Sequence, residues 1–141
     1  RLAPCGLLCG NCLAFGDGAI REHAQALAER LGPNFGRYAA FLGGMNPVFE
    51  QYEGFRPFLD FLAQGSCSGC RGQGCIFHAC SVTQCVREKG FDFCFECGEY
   101  PCDQHDLPEG LAARWRANND RLREIGPVAY FEENKDKPRY P

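Results

Sequence analysis

Eleven cysteines fall within a chain of 141 residues, and their spacing restricts what the chain can fold into. Three explanations compete. A disulfide framework suits small secreted chains, but eleven is an odd number. No apolar export signal opens the sequence, and its helical stretches are long enough to bury a core without staples. Scattered core thiols would pack as small hydrophobes, with no reason to recur at short gaps beside glycines. Metal binding does give that reason. Thiolate ligands must converge on one ion at about 2.3 Å, and paired short-gap turns deliver them.

Cys67-Ser68-Gly69-Cys70 followed by Arg71-Gly72 has that form, as does Cys94-Phe95-Glu96-Cys97 followed by Gly98. A glycine just after the second cysteine is expected to supply the positive φ that such a turn needs. The separation of the two pairs is slightly wider than the usual four-cysteine spacing. Cys5, Cys9 and Cys12 would project from one face if their stretch were helical. Cys80, Cys85 and Cys102 are candidates to complete a set, while Cys75 is the least regular and reads as a spare thiol. The candidate ligands are therefore Cys5, Cys9, Cys12, Cys67, Cys70, Cys80, Cys85, Cys94, Cys97 and Cys102. His105, three residues after Cys102, has a ligand-like spacing. His78 and His23 read as structural or solvated. Four thiolates on Zn²⁺ leave excess negative charge, which Arg71, Arg87, Lys89 and nearby backbone N–H groups are placed to offset.

Between the cysteine turns lie helix-like stretches. Residues 17–32 read as a helix capped by Asp17, with Ile20, Ala24, Leu27 and Leu31 on one face and Gly32-Pro33 as the stop. Residues 35–43 read as a short apolar helix. Residues 47–64 open on Pro47, carry Val48, Tyr52, Phe55, Leu59 and Leu62 as an apolar stripe expected in the core, and should break near Arg56 because of Gly54 and Pro57. Ser81-Val82-Thr83-Gln84 is a capping-box pattern starting a helix that ends at Gly90. Residues 109–126 form the best helical pattern, with Leu111, Trp115, Asn118, Leu122 and Ile125 along one stripe. The tail 134–141 is polar and expected to be loose.

The expected fold is mainly α: one small helical domain over 1–141 with cysteine-rich metal-binding loops and short β-ribbons allowed at the metal turns. Twelve Phe and a hydrophobic fraction of 45% give it a core. A net charge of −3 with scattered basic residues argues against a nucleic-acid surface. No apolar run is long enough for a membrane span. The sequence reading places the chain in the cytoplasm, with a protein as the expected partner.

The opening Cys5-Gly6-Leu7-Leu8-Cys9-Gly10-Asn11-Cys12, the middle Cys67-Ser68-Gly69-Cys70-Arg71, and Cys85-Val86-Arg87-Glu88-Lys89-Gly90 together form a specific combination. Cys94-Phe95-Glu96-Cys97-Gly98-Glu99-Tyr100-Pro101-Cys102 and the run 121–126 complete it. In these residues the chain resembles a family of small cysteine-rich bacterial and archaeal proteins, domain of unknown function 3795, over nearly its whole length. The resemblance implies metal binding by cysteines without an assigned activity. Many members of that family carry further cysteines in the tail, and residues 137–141 here have none.

Function reads first as a zinc protein whose metal is structural, a binding or regulatory module. Closed four-thiolate sites supply folding energy and leave no open position. An iron–sulfur protein in electron transfer or redox sensing is the alternative, because the same ligands serve it. The gaps of Cys5, Cys9 and Cys12 also occur in enzymes that hold an open four-iron cluster, but those have large barrel domains that this chain lacks. Catalysis is the weakest reading. Cys80, before a helix start and near His78, is the best-placed reactive thiol, yet no catalytic constellation stands out. Glu96 and Glu99 read as solvated charges.

Overall fold

The computed structural model describes residues 1–72 and 75–140; Gln73, Gly74 and Pro141, the last residue of the expected loose tail, lie outside them. The chain is mainly helical. It forms two compact units, one of Arg1–Cys12 with Cys67–Pro141 and one of Leu13–Ser66. Every cysteine belongs to the first unit.

The cysteine-free unit holds α1 (Ala19–Leu31), α2 (Phe35–Gly43), a 3-10 turn (Pro47–Gln51) and α3 (Tyr52–Gln64). α1 packs on α3, burying Ala24 and Leu59. α1 begins at Gly18 rather than at an Asp17 cap, and no side chain caps it. It stops at Gly32, which has φ of 71°. The stretch 47–64 divides at Gln51, not at Arg56, and α3 runs through Pro57. The N–H that Pro57 lacks would have met the Glu53 carbonyl, in the first turn of α3. The loss therefore falls at the junction with the 3-10 turn, and the rest of the helix is intact. Asn46 starts that turn by accepting from the Val48 amide at 3.0 Å. Part of the expected core stripe faces outward, with Val48 61% and Phe55 41% exposed. Leu59 is buried as expected.

The cysteine-bearing unit contains α4 (Val82–Lys89), a 3-10 turn (Cys94–Glu96) and α5 (Glu109–Asn134). α4 starts and stops where the sequence places it, at Ser81 and at Gly90 with φ of 73°. The capping box does not form. Ser81 Oγ donates to the Gln104 carbonyl at 2.9 Å, and Gln84 bonds Glu88 at 2.7 Å. α5 breaks at Gly126, which has φ of 78°, and resumes through Pro127. The expected stop is thus a kink, because Pro127 opens the following helical stretch, where its missing N–H has little cost. Leu8, Phe93, Leu122 and Tyr130 form the core, with Leu2, Phe95, Ile125 and Phe131 packed around it. Leu111, expected on the buried stripe, is 38% exposed.

The amino-terminal segment is not helical. Leu2 and Leu8 form an isolated antiparallel bridge, with Ala3 N donating to the Leu7 carbonyl at 2.9 Å. Cys5, Cys9 and Cys12 therefore do not share a helix face. Gly6, with φ of 81°, lies against α5 so closely that a Cβ would stand 2.5 Å from Asn118 Cβ. The expected loose tail is tied to this loop. Asn11 Nδ2 donates to the Lys135 and Lys137 carbonyls at 3.1 and 2.9 Å, and Arg139 Nη1 donates to the Leu8 carbonyl at 2.7 Å. No helix among the described residues is long and apolar enough to cross a membrane.

Candidate metal centre

Four cysteines line one small cavity. Cys85 comes from α4, Cys94 from the second 3-10 turn, and Cys97 and Cys102 from the loop that follows. The cavity measures about 20 Å³, slightly more than the 10–15 Å³ that one water requires by this measure. Lys89 Nζ lies 3.8 Å from Cys97 Sγ and also pairs with Glu99. The Lys89 ammonium thus stands between a candidate ligand and a carboxylate. Burial pushes the Cys94 thiol up to about 11, and the Trp115 indole opposes this by favouring the thiolate. Trp115 is 2% exposed, and among the described residues its Nε1–H has no full hydrogen-bond partner. A buried donor without an acceptor is costly, and the sulfur on which it acts is Cys94.

The turn around these residues is fixed by groups that sequence reasoning treated as bystanders. Glu96 is exposed, as expected of a solvated charge, and it also caps the turn by accepting from the Asp92 and Phe93 amides at 2.7 and 2.9 Å. Glu99 is ion-paired to Lys89. Asn119, wholly buried, accepts from the Phe95 amide at 3.2 Å and donates to the Trp115 carbonyl at 3.0 Å. No spacing rule marks Asn119; its place next to the Asn118 stripe position was the available signal.

A second group of sulfurs gathers around the amino-terminal loop. A recurring local geometry organises it, in which the amide two residues on donates to the cysteine sulfur. Gly69 N reaches Cys67 Sγ at 3.3 Å and Phe77 N reaches Cys75 Sγ at 3.4 Å. The Leu7 amide does the same for Cys5, the Val82 and Thr83 amides for Cys80, and the Cys70 amide serves Cys9. Amides aimed at sulfur favour the anionic form. The positive φ that the Cys67 turn requires sits at Gly69, with φ of 93°, inside the pair and not at Gly72 after it. Gly98 likewise lacks a positive φ.

Within this group Cys80 raises Cys5, Cys67 raises Cys9, and Cys70 and Cys75 act on each other. Burial raises Cys5 to about 11 and also raises Cys9 and Cys80. The two thiols divide one proton, which is held on Cys70, so that Cys70 is raised and Cys75 lowered. Cys75, read as a spare thiol, is thus integrated with a candidate ligand. Arg139 favours the thiolates of Cys5, Cys9 and Cys75; sequence reasoning missed it because it lies far along the chain from them. Cys70, Cys75, His78 and Cys80 border a wide opening of about 530 Å³.

Several expected participants stand elsewhere. Arg71 donates to the Leu2 and Asp92 carbonyls at 3.0 and 2.7 Å, pairs with the Asp92 carboxylate at 2.8 Å, and covers the Phe93 ring at 4.9 Å. It ties two loops together. Arg87 Nη2 reaches the Gly72 carbonyl at 3.4 Å. His105 Nδ1 accepts from the Leu107 amide at 3.0 Å, and its ring packs on Trp115 at 4.9 Å. Cys12 Sγ accepts from the Tyr140 hydroxyl at 3.9 Å. His23 is exposed on α1.

Among the described residues no disulfide forms. Nor do three or more His, Cys, Asp or Glu side chains there converge closely enough to hold a metal ion. The donor types nevertheless suit a thiophilic cation: four cysteines border one small cavity, with a buried indole N–H near Cys94 and a lysine beside Cys97.

No curated protein and no solved structure matches the chain. The model of the family described as Protein of unknown function (DUF3795) matches residues 1–107. That span takes in all eleven cysteines and ends before α5, leaving the run 121–126 outside it. On that match the chain belongs to the DUF3795 family.

Proposed function

We propose that the cysteine-bearing unit binds zinc through thiolates, that the metal is mainly structural, and that the protein acts as a binding or regulatory module. The observation that carries this reading is the sharing of one cavity of about 20 Å³ by Cys85, Cys94, Cys97 and Cys102. A closed four-thiolate site needs room for one ion and nothing more. Cys5, Cys9, Cys67, Cys70 and Cys80 supply a second set, with Cys75 joined to it through Cys70. Cys12 stands at its edge. In the closed site a bound ion would replace the protons of buried thiols and supply folding energy. Lys89 and Trp115 would offset the thiolate charge there, and Arg139 would do so in the second set.

The binding-module part of the reading rests on the other unit. Tyr38, Phe41, Met45, Val48 and Phe58 are each more than half exposed there. Large apolar side chains grouped on a surface mark sites for partner proteins.

An iron–sulfur cluster is the second reading, favoured at one place. The wide opening beside Cys70, Cys75 and Cys80 has the room that a multi-atom cluster needs. Metal analysis of protein purified with and without oxygen separates the readings. Zinc at about two ions per chain, with loss of structure on strong chelation, supports the proposal. Iron with sulfide and visible absorbance supports the cluster. A folded, metal-free chain whose thiols pair as disulfides overturns both.

A further inference from the structure

A third pocket in the cysteine-bearing unit is lined by no cysteine and shares only Arg139 with the metal reading. It lies among the amino-terminal loop, α5 and the segment after it, and encloses about 40 Å³. That is room for about three water-sized groups, since one needs about 10–15 Å³. Residues 6–8 form one side. Arg114 and Asn118, one turn apart on α5, also line it, as do Lys137 and Arg139. No Asp or Glu lines it.

Two donors in this pocket are unspent. Asn118 Nδ2 is buried and has no hydrogen-bond partner among the described residues. Arg114 makes no hydrogen bond or ion pair among the described residues. The other polar groups are committed elsewhere. Asn11 Nδ2 holds the Lys135 and Lys137 carbonyls. Lys137 Nζ meets Asn134 Oδ1 at 3.2 Å and Glu133 at 3.6 Å. Arg139 Nη1 holds the Leu8 carbonyl, while its remaining N–H groups stay available. Buried donors are normally satisfied, and an unpaired guanidinium in a pocket without acids attracts an anion. A guanidinium and an amide N–H a turn apart also present parallel donors to a two-oxygen acceptor.

We infer that this pocket binds a small oxyanion, the carboxylate or phosphoryl end of a metabolite, held by Arg114, Asn118 Nδ2 and Arg139. Lys137 adds charge without direct contact. The pocket size admits the anionic end and leaves the rest of the ligand outside.

The test uses the whole, as-purified chain, labelled with 15N, with metal content measured before and after. Sodium phosphate and sodium acetate are titrated separately, at constant ionic strength made up with chloride. The expected result is a saturable shift of the Asn118 side-chain amide resonances with one of these anions. Response to phosphate assigns a phosphoryl end, and response to acetate a carboxylate. Arg114→Gln should weaken the response by about tenfold or more while leaving distant resonances in place, because Arg114 bonds to nothing else. Asn118→Asp, read at the Leu7 and Leu8 backbone amides, should abolish it by setting a like charge against the ligand. Absence of a saturable shift with either anion overturns the inference. So does an unchanged midpoint in both variants.

Discussion

Replacing Gly6 by alanine tests how the amino-terminal cysteine loop is seated on α5. Gly6 has φ of 81°, and a Cβ there would lie 2.5 Å from Asn118 Cβ and 3.2 Å from Leu122 Cδ1. Holding an L-residue in the left-handed region costs about 1–2 kcal/mol. Forcing a methyl into a filled contact costs about 1–3 kcal/mol. Leu122 is fully buried and central to the core, so little can yield on that side. Together the change should destabilise by about 2–5 kcal/mol, a large part of the 5–15 kcal/mol typical of a domain. With a urea slope of about 2 kcal/mol/M, the middle of the usual range, the unfolding midpoint should fall by roughly 1–2.5 M. Trp115 is the one tryptophan of the chain. It is buried in the same unit, so its fluorescence reports on that unit alone. Gly10→Ala is the matched control in the same loop, with nothing within 4 Å of its added Cβ. Equal midpoints for the two variants would refute the packing argument.

Other expectations concern the thiols and their supports. Cys94→Ala should lower bound zinc by about one ion per chain, measured by elemental analysis, and a full complement would count against the four-cysteine site. Burial raises Cys5 and Cys94 to about 11, so both carry protons at neutral pH. Metal uptake must displace those protons, and affinity should therefore rise with pH. Calorimetry in buffers of different ionisation heats should register proton release, and a heat independent of buffer would contradict it. Asn119→Ala leaves the Phe95 amide without its acceptor and should destabilise by about 1–3 kcal/mol, seen in the same fluorescence assay. An effect below a few tenths would show that the bond is dispensable.

The helices were readable because each rests on local signals. Gly32 and Gly90 end α1 and α4 as the sequence indicates. Local signals failed where a longer-range partner won. Ser81 abandons the capping box for the Gln104 carbonyl, a contact no four-residue pattern contains. Pro127 reads equally as a stop or as the first residue of a continuing helix, and the packing of Tyr130 and Phe131 on the core selects continuation. The cysteines were legible as a set, and their partition was not. Cys85, separated from Cys94 by a helix end, joins that turn only once α4 is docked. The amide-to-sulfur geometry at Cys67 needs Gly69 at positive φ, and sequence reasoning assigned that need to the glycine one step beyond the pair.

The division of the chain has a consequence for synthesis. Cys9 and Cys67 belong to one unit and act on each other electrostatically, and the whole of the cysteine-free unit lies between them in sequence. On the ribosome the first three cysteines emerge with no sulfur neighbours from the later segment. Closing a loop of that length costs entropy that grows only slowly with length, but the closure must wait for the later residues. The packing of α1 on α3 is local to the intervening stretch and can form first, shortening the effective span to be closed. The amino-terminal thiols are thus exposed to stray oxidants and ions for as long as translation of the insert lasts.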